Sequence, residues 1–97
     1  MEFGWTPAKR DKTLAERGVD FALVTSGFFD SFRTISPDLR RDYGEDRFNM
    51  LADCKGRVYH VTFTVRGDVI WIISARKANE REQKTYGNAR NVPGRCA

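Results

Sequence analysis

The stretch Asp68–Tyr86, DVIWIISARKANEREQKTY, decides the fold. Val69, Ile70, Trp71, Ile72 and Ile73 form a dense β-branched and aromatic run, which suits a pleated, half-buried surface and predicts a strand. Further on, Asn79 and Glu82 have the spacing of a capping box, which predicts a final helix with Gly87 as its stop. Between the two lie Ser74, Ala75, Arg76, Lys77 and Ala78, so two adjacent cations leave a core strand just before a helix begins. Rigid scaffolding at such a junction can hold a charge towards a ligand.

Upstream of this strand, Gly67-Asp68 reads as a two-residue hairpin turn with glycine first, joining it to a strand over Arg57–Arg66. Taken literally, the turn pairs Val65 with Ile70, Phe63 with Ile72, Val61 with Ser74 and Tyr59 with Arg76 on the core side. The other side then carries Thr64 with Trp71, Thr62 with Ile73 and His60 with Ala75. That side is mixed rather than polar, as suits a face covered by a partner or ligand. Arg47–Asp53 alternates too, with Phe48, Met50 and Ala52 on one face, and reads as a half-exposed strand. Phe32–Ile35 alternates briefly before Ser36-Pro37-Asp38. The segment from Asp38 to Asp46 holds the acids Asp38, Asp42, Glu45 and Asp46 with Arg40 and Arg41, which predicts a solvated loop.

At the N-terminus, Glu2-Phe3-Gly4-Trp5 reads as a short first strand or an apolar anchor. Thr6 and Pro7 are a cap and first helical residue, since proline lacks only an N–H that has no partner there. This helix runs to about Arg17 and stops at Gly18. Asp20 caps a second helix whose Phe21, Val24 and Phe28 form one apolar stripe for the sheet, with Gly27 weakening its last turn. The whole reads as α+β: an antiparallel sheet with two N-terminal helices packed on it and a C-terminal helix. Residues 1–87 form one domain and residues 88–97, almost free of apolar side chains, a flexible tail.

Composition bounds the function only loosely. At 97 residues the chain holds one modest core, and 40% hydrophobic residues exclude a disordered tail. A net charge of +4 and a pI near 9.4 suit an anionic partner, nucleic acid or acidic protein. Cys54 and Cys96 have neither metal-ligand nor disulfide-framework spacing and read as reduced thiols. No apolar run reaches membrane-spanning length and no signal-peptide core is present, so the expected location is cytoplasmic.

Phe3, Trp5, Pro7 and Lys9, then Gly18, Val19 and Phe21, then Phe29 and Asp30, and finally Ile70, Ile72, Ile73, Ser74, Ala75, Arg76, Lys77, Ala78, Glu82 and Tyr86 form a further pattern. It resembles the BrnT family of type II toxins, in which F-x-W-D-P-x-K opens the chain and I-R-I-I-S-A-R-K-A…E-x-x-x-Y closes it. The resemblance covers Phe3 to Tyr86. Thr6 stands for the family Asp, Thr13 for Asn, Arg17 for His and Trp71 for Arg. It implies a fold similar to the RelE-like ribonuclease toxins and metal-independent cleavage of RNA, with no cofactor. It also implies a cognate BrnA-type antitoxin that covers the toxin, in a heterotetramer, and binds operator DNA on behalf of the pair.

Such cleavage uses the ribose 2′-OH as an internal nucleophile, and needs a base, cations on the phosphate and an acid for the leaving oxygen. Arginine suits the phosphate, because its planar fork binds oxygens in pairs and keeps its charge. Arg76 is the first candidate, with Arg66 and Arg47 next, since the resemblance places cations at these strand positions too. The bland alternative for Arg76 is an ion pair with Glu82 that anchors helix to sheet. His60, the single histidine, and Glu45 are candidates for proton transfer. Lys9 and Lys77 would add to the phosphate field, and Tyr86 would stack on RNA or pack its helix. Three functions follow: a ribonuclease toxin, an RNA binder that does not cut, or a protein-interaction domain using the mixed face around Thr62, Trp71 and Ile73.

Overall fold

The computed structural model describes residues 1–40 and 42–90. The elements are β1 (Glu2–Gly4), α1 (Pro7–Arg17), α2 (Phe21–Val24) running into a 3-10 helix (Thr25–Phe29), β2 (Thr34–Pro37), β3 (Phe48–Cys54), β4 (Arg57–Arg66), β5 (Val69–Lys77) and α3 (Glu80–Arg90). They build one five-stranded sheet in the order β1-β5-β4-β3-β2. The α+β class expected from the sequence holds. The sheet is mixed, however, because β1 pairs parallel to β5, with Phe3 opposite Ile70. A parallel partner requires a long crossover, and the helical stretch and the three antiparallel strands between β1 and β5 supply it.

Pro7 occupies the first turn of α1, and the chain leaves α1 through Gly18 in the left-handed region at φ 66°, as the sequence predicts. Thr6 is the N-cap residue but its side chain makes no capping bond. Asp20 does cap α2, accepting from the Ala22 N–H, and also accepts two bonds from Arg10 at 2.8 and 2.9 Å. The predicted second helix is therefore shorter than one regular α-helix. It tightens after Val24 into a 3-10 turn because Gly27 presses against β3: a Cβ there would lie 2.8 Å from Cys54 Sγ and 2.9 Å from the Ala52 Cβ. Gly27 is thus a close-packing position rather than a weak last turn.

One face of the sheet is the core. Met50, Ala52 and Cys54 of β3, Tyr59, Val61 and Phe63 of β4, and Ile72 and Ala75 of β5 are buried there under Val19, Phe21, Val24 and Phe28. Phe28 bridges the layers, its ring 4.9 Å from Phe63 and 5.3 Å from Phe3. Each such side chain contributes roughly 1.5–3 kcal/mol through burial.

The hairpin of β4 and β5 carries the main departure from the predicted register. Pairing starts as expected, Val65 with Ile70 and Phe63 with Ile72, and then shifts between Thr62 and Phe63. Ile73 is the extra residue of this bulge, so Thr62 pairs with Ser74, Val61 with Ala75, His60 with Arg76 and Tyr59 with Lys77. A slip of one residue exchanges the faces. Ala75 goes into the core, and Arg76, expected on the core side with Tyr59, comes to the open face beside His60. The final helix also differs: it passes through Gly87 and ends at Arg90, so residues 88–90 are helical rather than tail. The remainder of the predicted tail, with Cys96, lies outside the described residues.

Candidate nucleic-acid site on the open face

The open face presents Asn49 and Leu51 from β3, His60, Thr62 and Thr64 from β4, and Trp71, Ser74 and Arg76 from β5, by the alternation of paired positions. α1 borders it along β5, where Lys9, Lys12, Thr13, Glu16 and Arg17 line a cleft with Ile73 and Ser74. α3 borders it on the other side, where Glu82 shares a groove with Leu51 and His60. Between the two helices is a pocket of about 330 Å³ lined by Arg17, Arg40, Asn49, His60, Thr62, Ser74 and Arg76.

Each wall of this pocket has a local cause. Arg76 is held by two bonds to Glu82, 2.7 and 2.9 Å long. Glu82 is fixed in turn by the predicted capping box: it accepts from the Asn79 N–H at 2.9 Å, while Asn79 Oδ1 accepts from the Glu82 N–H at 2.8 Å. The Arg76 guanidinium holds the Glu82 carboxyl down at about 2. Arg17 reaches from the end of α1 to donate to the Ala75 carbonyl at 3.1 Å. It has no carboxylate partner among the described residues. Arg40 is turned inward by Asp38, which accepts from it at 2.7 and 2.8 Å and is itself held at about 2. Thr62 donates to Asn49 Oδ1 at 2.8 Å, fixing the pocket floor.

His60 is the titratable group of this pocket. Burial, and then the charge of Arg76, push its pKa below the ordinary 6.5. The imidazole is therefore neutral at pH 7 and able to accept a proton, beside cations suited to a phosphate.

The remaining candidates are distributed elsewhere. Glu45, Arg47 and Arg66 cluster at the far end of the strands: Glu45 takes two 3.2 Å bonds from Arg66 and lies 3.6 Å from Arg47. Arg66 lies over the Trp71 ring at 4.8 Å and Arg47 over Tyr43 at 4.0 Å. Arg47 Nε is buried without a hydrogen-bond partner among the described residues. The bond from Arg66 holds the Glu45 pKa down, so its carboxylate is a weak base. Six residues of β4 separate Arg66 from His60, about 20 Å at strand rise. Lys77 is exposed and pairs with Tyr59, in register with the core face. Tyr86 is 4% exposed, and its hydroxyl donates to Asp30 Oδ2 at 2.6 Å. Burial and that bond raise the phenol to about 12, and the contact fastens α3 to the turn before β2.

Arg17, Arg40 and the floor of Asn49, Thr62 and Ser74 were not among the candidates read from the sequence. Arg17 alone had left a trace, as the cation in place of the family histidine before Gly18. Among the described residues no three His, Cys, Asp or Glu side chains gather as a metal-ligand set, and no helix is long and apolar enough to cross a membrane.

No curated protein matches the chain. The family model for the ribonuclease toxin BrnT of type II toxin-antitoxin systems matches residues 5–82, which include both walls of the pocket. The protein target of such a system's antitoxin is the toxin itself, and the toxin's target is RNA. The chain therefore belongs to the BrnT family of ribonuclease toxins of type II toxin-antitoxin systems.

Proposed function

We propose that this toxin cuts RNA internally and without a metal, in the pocket of Arg17, Arg40, His60 and Arg76. One observation supports the reading above others: the Ile73 bulge puts Arg76 directly opposite His60 on the open face, where three guanidinium groups surround one neutral imidazole. His60 accepts the proton of a ribose 2′-OH as its oxygen bonds to the adjacent phosphorus. The bond from phosphorus to the 5′-oxygen breaks, that oxygen takes up a proton, and the products are a 2′,3′-cyclic phosphate and a 5′-hydroxyl. The cations stabilise the charge that builds on the phosphate oxygens as phosphorus becomes five-coordinate.

Arg66 and Arg47 serve in this reading as distant contacts for flanking phosphates rather than at the cut bond, with Glu45 ordering them. Lys9 and Lys77 add to the attractive field, and Tyr86 positions α3. The fold is RelE-like with α1 at the substrate face. A DNA-binding antitoxin encoded alongside covers the toxin in a heterotetramer, and the free toxin stops translation and growth in the cytoplasm.

The test is cleavage of a defined RNA by the purified chain in EDTA, beside Arg76→Ala and His60→Ala, with analysis of the new 3′ ends. Cyclic phosphate ends made only by the unaltered protein are expected. Binding without cleavage would overturn the reading in favour of a non-cutting RNA binder, a second reading that draws on the Arg76 fork being filled by Glu82.

A further inference from the structure

The two candidate clusters of the open face are joined by α1. Lys9, Thr13 and Arg17 recur at intervals of four, so they form one stripe along the helix. All three line the cleft against Ile73 and Ser74, together with Lys12 and the carboxylate of Glu16. Arg17 and Ser74 also line the His60 pocket, so the cleft opens into it. At the other end, Arg47 is close enough to Lys9 to depress its pKa, after burial, with Lys12 and Arg17 adding to the effect. Lys9 to Arg17 spans about 12 Å at helical rise. The stripe therefore leads from the neighbourhood of Arg47 to the pocket.

The cations along this line differ in their partners. Arg76 and Arg40 each give two bonds to a carboxylate. Lys9, Lys12 and Arg17 form no ion pair among the described residues. A polyanion that approaches the pocket meets uncompensated charge only on the α1 side. Phosphate at Arg76 has to compete with Glu82, whereas phosphate at Arg17 competes with a neutral carbonyl, that of Ala75.

We propose that α1 is a wall of the RNA site: Arg17 takes the scissile phosphate, and Lys9 and Lys12 take the next phosphate of a single strand running towards Arg47. The inference rests on the cleavage reading above. It makes Arg17 a catalytic residue and assigns Arg76 to positioning, holding Glu82 and α3 against the pocket. A single strand is the substrate, because the attacking 2′-oxygen must come into line with the leaving oxygen, which the regular backbone of a duplex prevents.

The experiment uses the full chain, a short single-stranded RNA, and the same oligomer with a 2′-deoxy sugar at the cut position as a non-cleavable probe. Arg17→Ala is expected to lower kcat/KM about 100-fold, mostly in kcat. Arg17→Lys recovers part of the loss. Lys9→Ala with Lys12→Ala acts mainly on KM and reduces the slope of log K against log salt for the deoxy probe by roughly 1.4, at about 0.7 per phosphate contact. Arg17→Gln keeps a donor for the Ala75 carbonyl without the charge, and melting curves identify variants that fold. A folded Arg17→Gln that cleaves as well as the unaltered chain overturns the proposal, as does an unchanged salt slope in the lysine pair. If the unaltered chain does not cleave at all, the ribonuclease reading fails instead, and the salt slopes of the deoxy probe still decide whether α1 contacts RNA.

Discussion

Two clusters of charge lie on one face of the same sheet, and they are built differently. At the Arg66 end, Glu45 ties two arginines together and aromatic rings of Tyr43 and Trp71 lie against their guanidinium planes. At the Arg76 end, the cations surround a partly buried histidine, and Arg17 is left with only a carbonyl. The first arrangement satisfies its charges internally. The second leaves one group able to exchange a proton and one cation able to accept an anion, which is what phosphoryl chemistry requires.

The largest expected effect sharpens that contrast at the chemical step. His60→Ala should reduce kcat about 100- to 10,000-fold, while Arg66→Ala should reduce kcat/KM less than about tenfold, through binding alone. Single-turnover kinetics with saturating enzyme separates the two. Equal losses would break the division of the face into a chemical end and a binding end.

A core change should leave the comparison intact but threaten both ends. Gly27→Val puts branched atoms against Cys54 and Ala52, at a site where a single Cβ is already too close, and should cost about 1–3 kcal/mol in urea unfolding. Glu82→Ala removes both the capping-box acceptor and the partner of Arg76, and should cost about 1–2 kcal/mol by the same measurement. The pH dependence has a definite sign. Glu82 falls from 4.5 in an open chain to about 2 when folded, so its contribution is complete above 4.5 and is lost as pH falls towards 2. Glu82→Gln should flatten acid unfolding in that window.

The smallest effect is a shift of midpoint. His60 is depressed below 6.5, first by burial and then by Arg76, so the acid limb of kcat/KM should fall below pH 6.5. Arg76→Gln should move that limb upwards, and a pH profile of the variant checks it. A limb that stays in place would mean that Arg76 and His60 do not share a field.

Local chemistry was legible where it acts over a few residues. The capping box of Asn79 and Glu82, the left-handed stop at Gly18, the cap by Asp20 and the first pairs after the Gly67-Asp68 turn follow from side-chain geometry within a turn or a hairpin. The junction at Arg76 was legible as a place for charge, and its pairing with Glu82 as an alternative role. The predicted α+β class also followed, because the periodicities of two and 3.6 are carried by the chain itself.

Tertiary structure decided the rest. The Ile73 bulge is the clearest case, because no local signal marks which residue of Val-Ile-Trp-Ile-Ile-Ser a sheet will leave unpaired. Packing against the helices on both sides selects it, and that one residue moves Arg76 to the face of His60. The parallel pairing of β1, the close approach at Gly27 and the convergence of Arg17 and Arg40 on one pocket depend on contacts between residues far apart in sequence. Residue types and their spacing set what each segment could form, and the geometry of packing fixed which charges could act together.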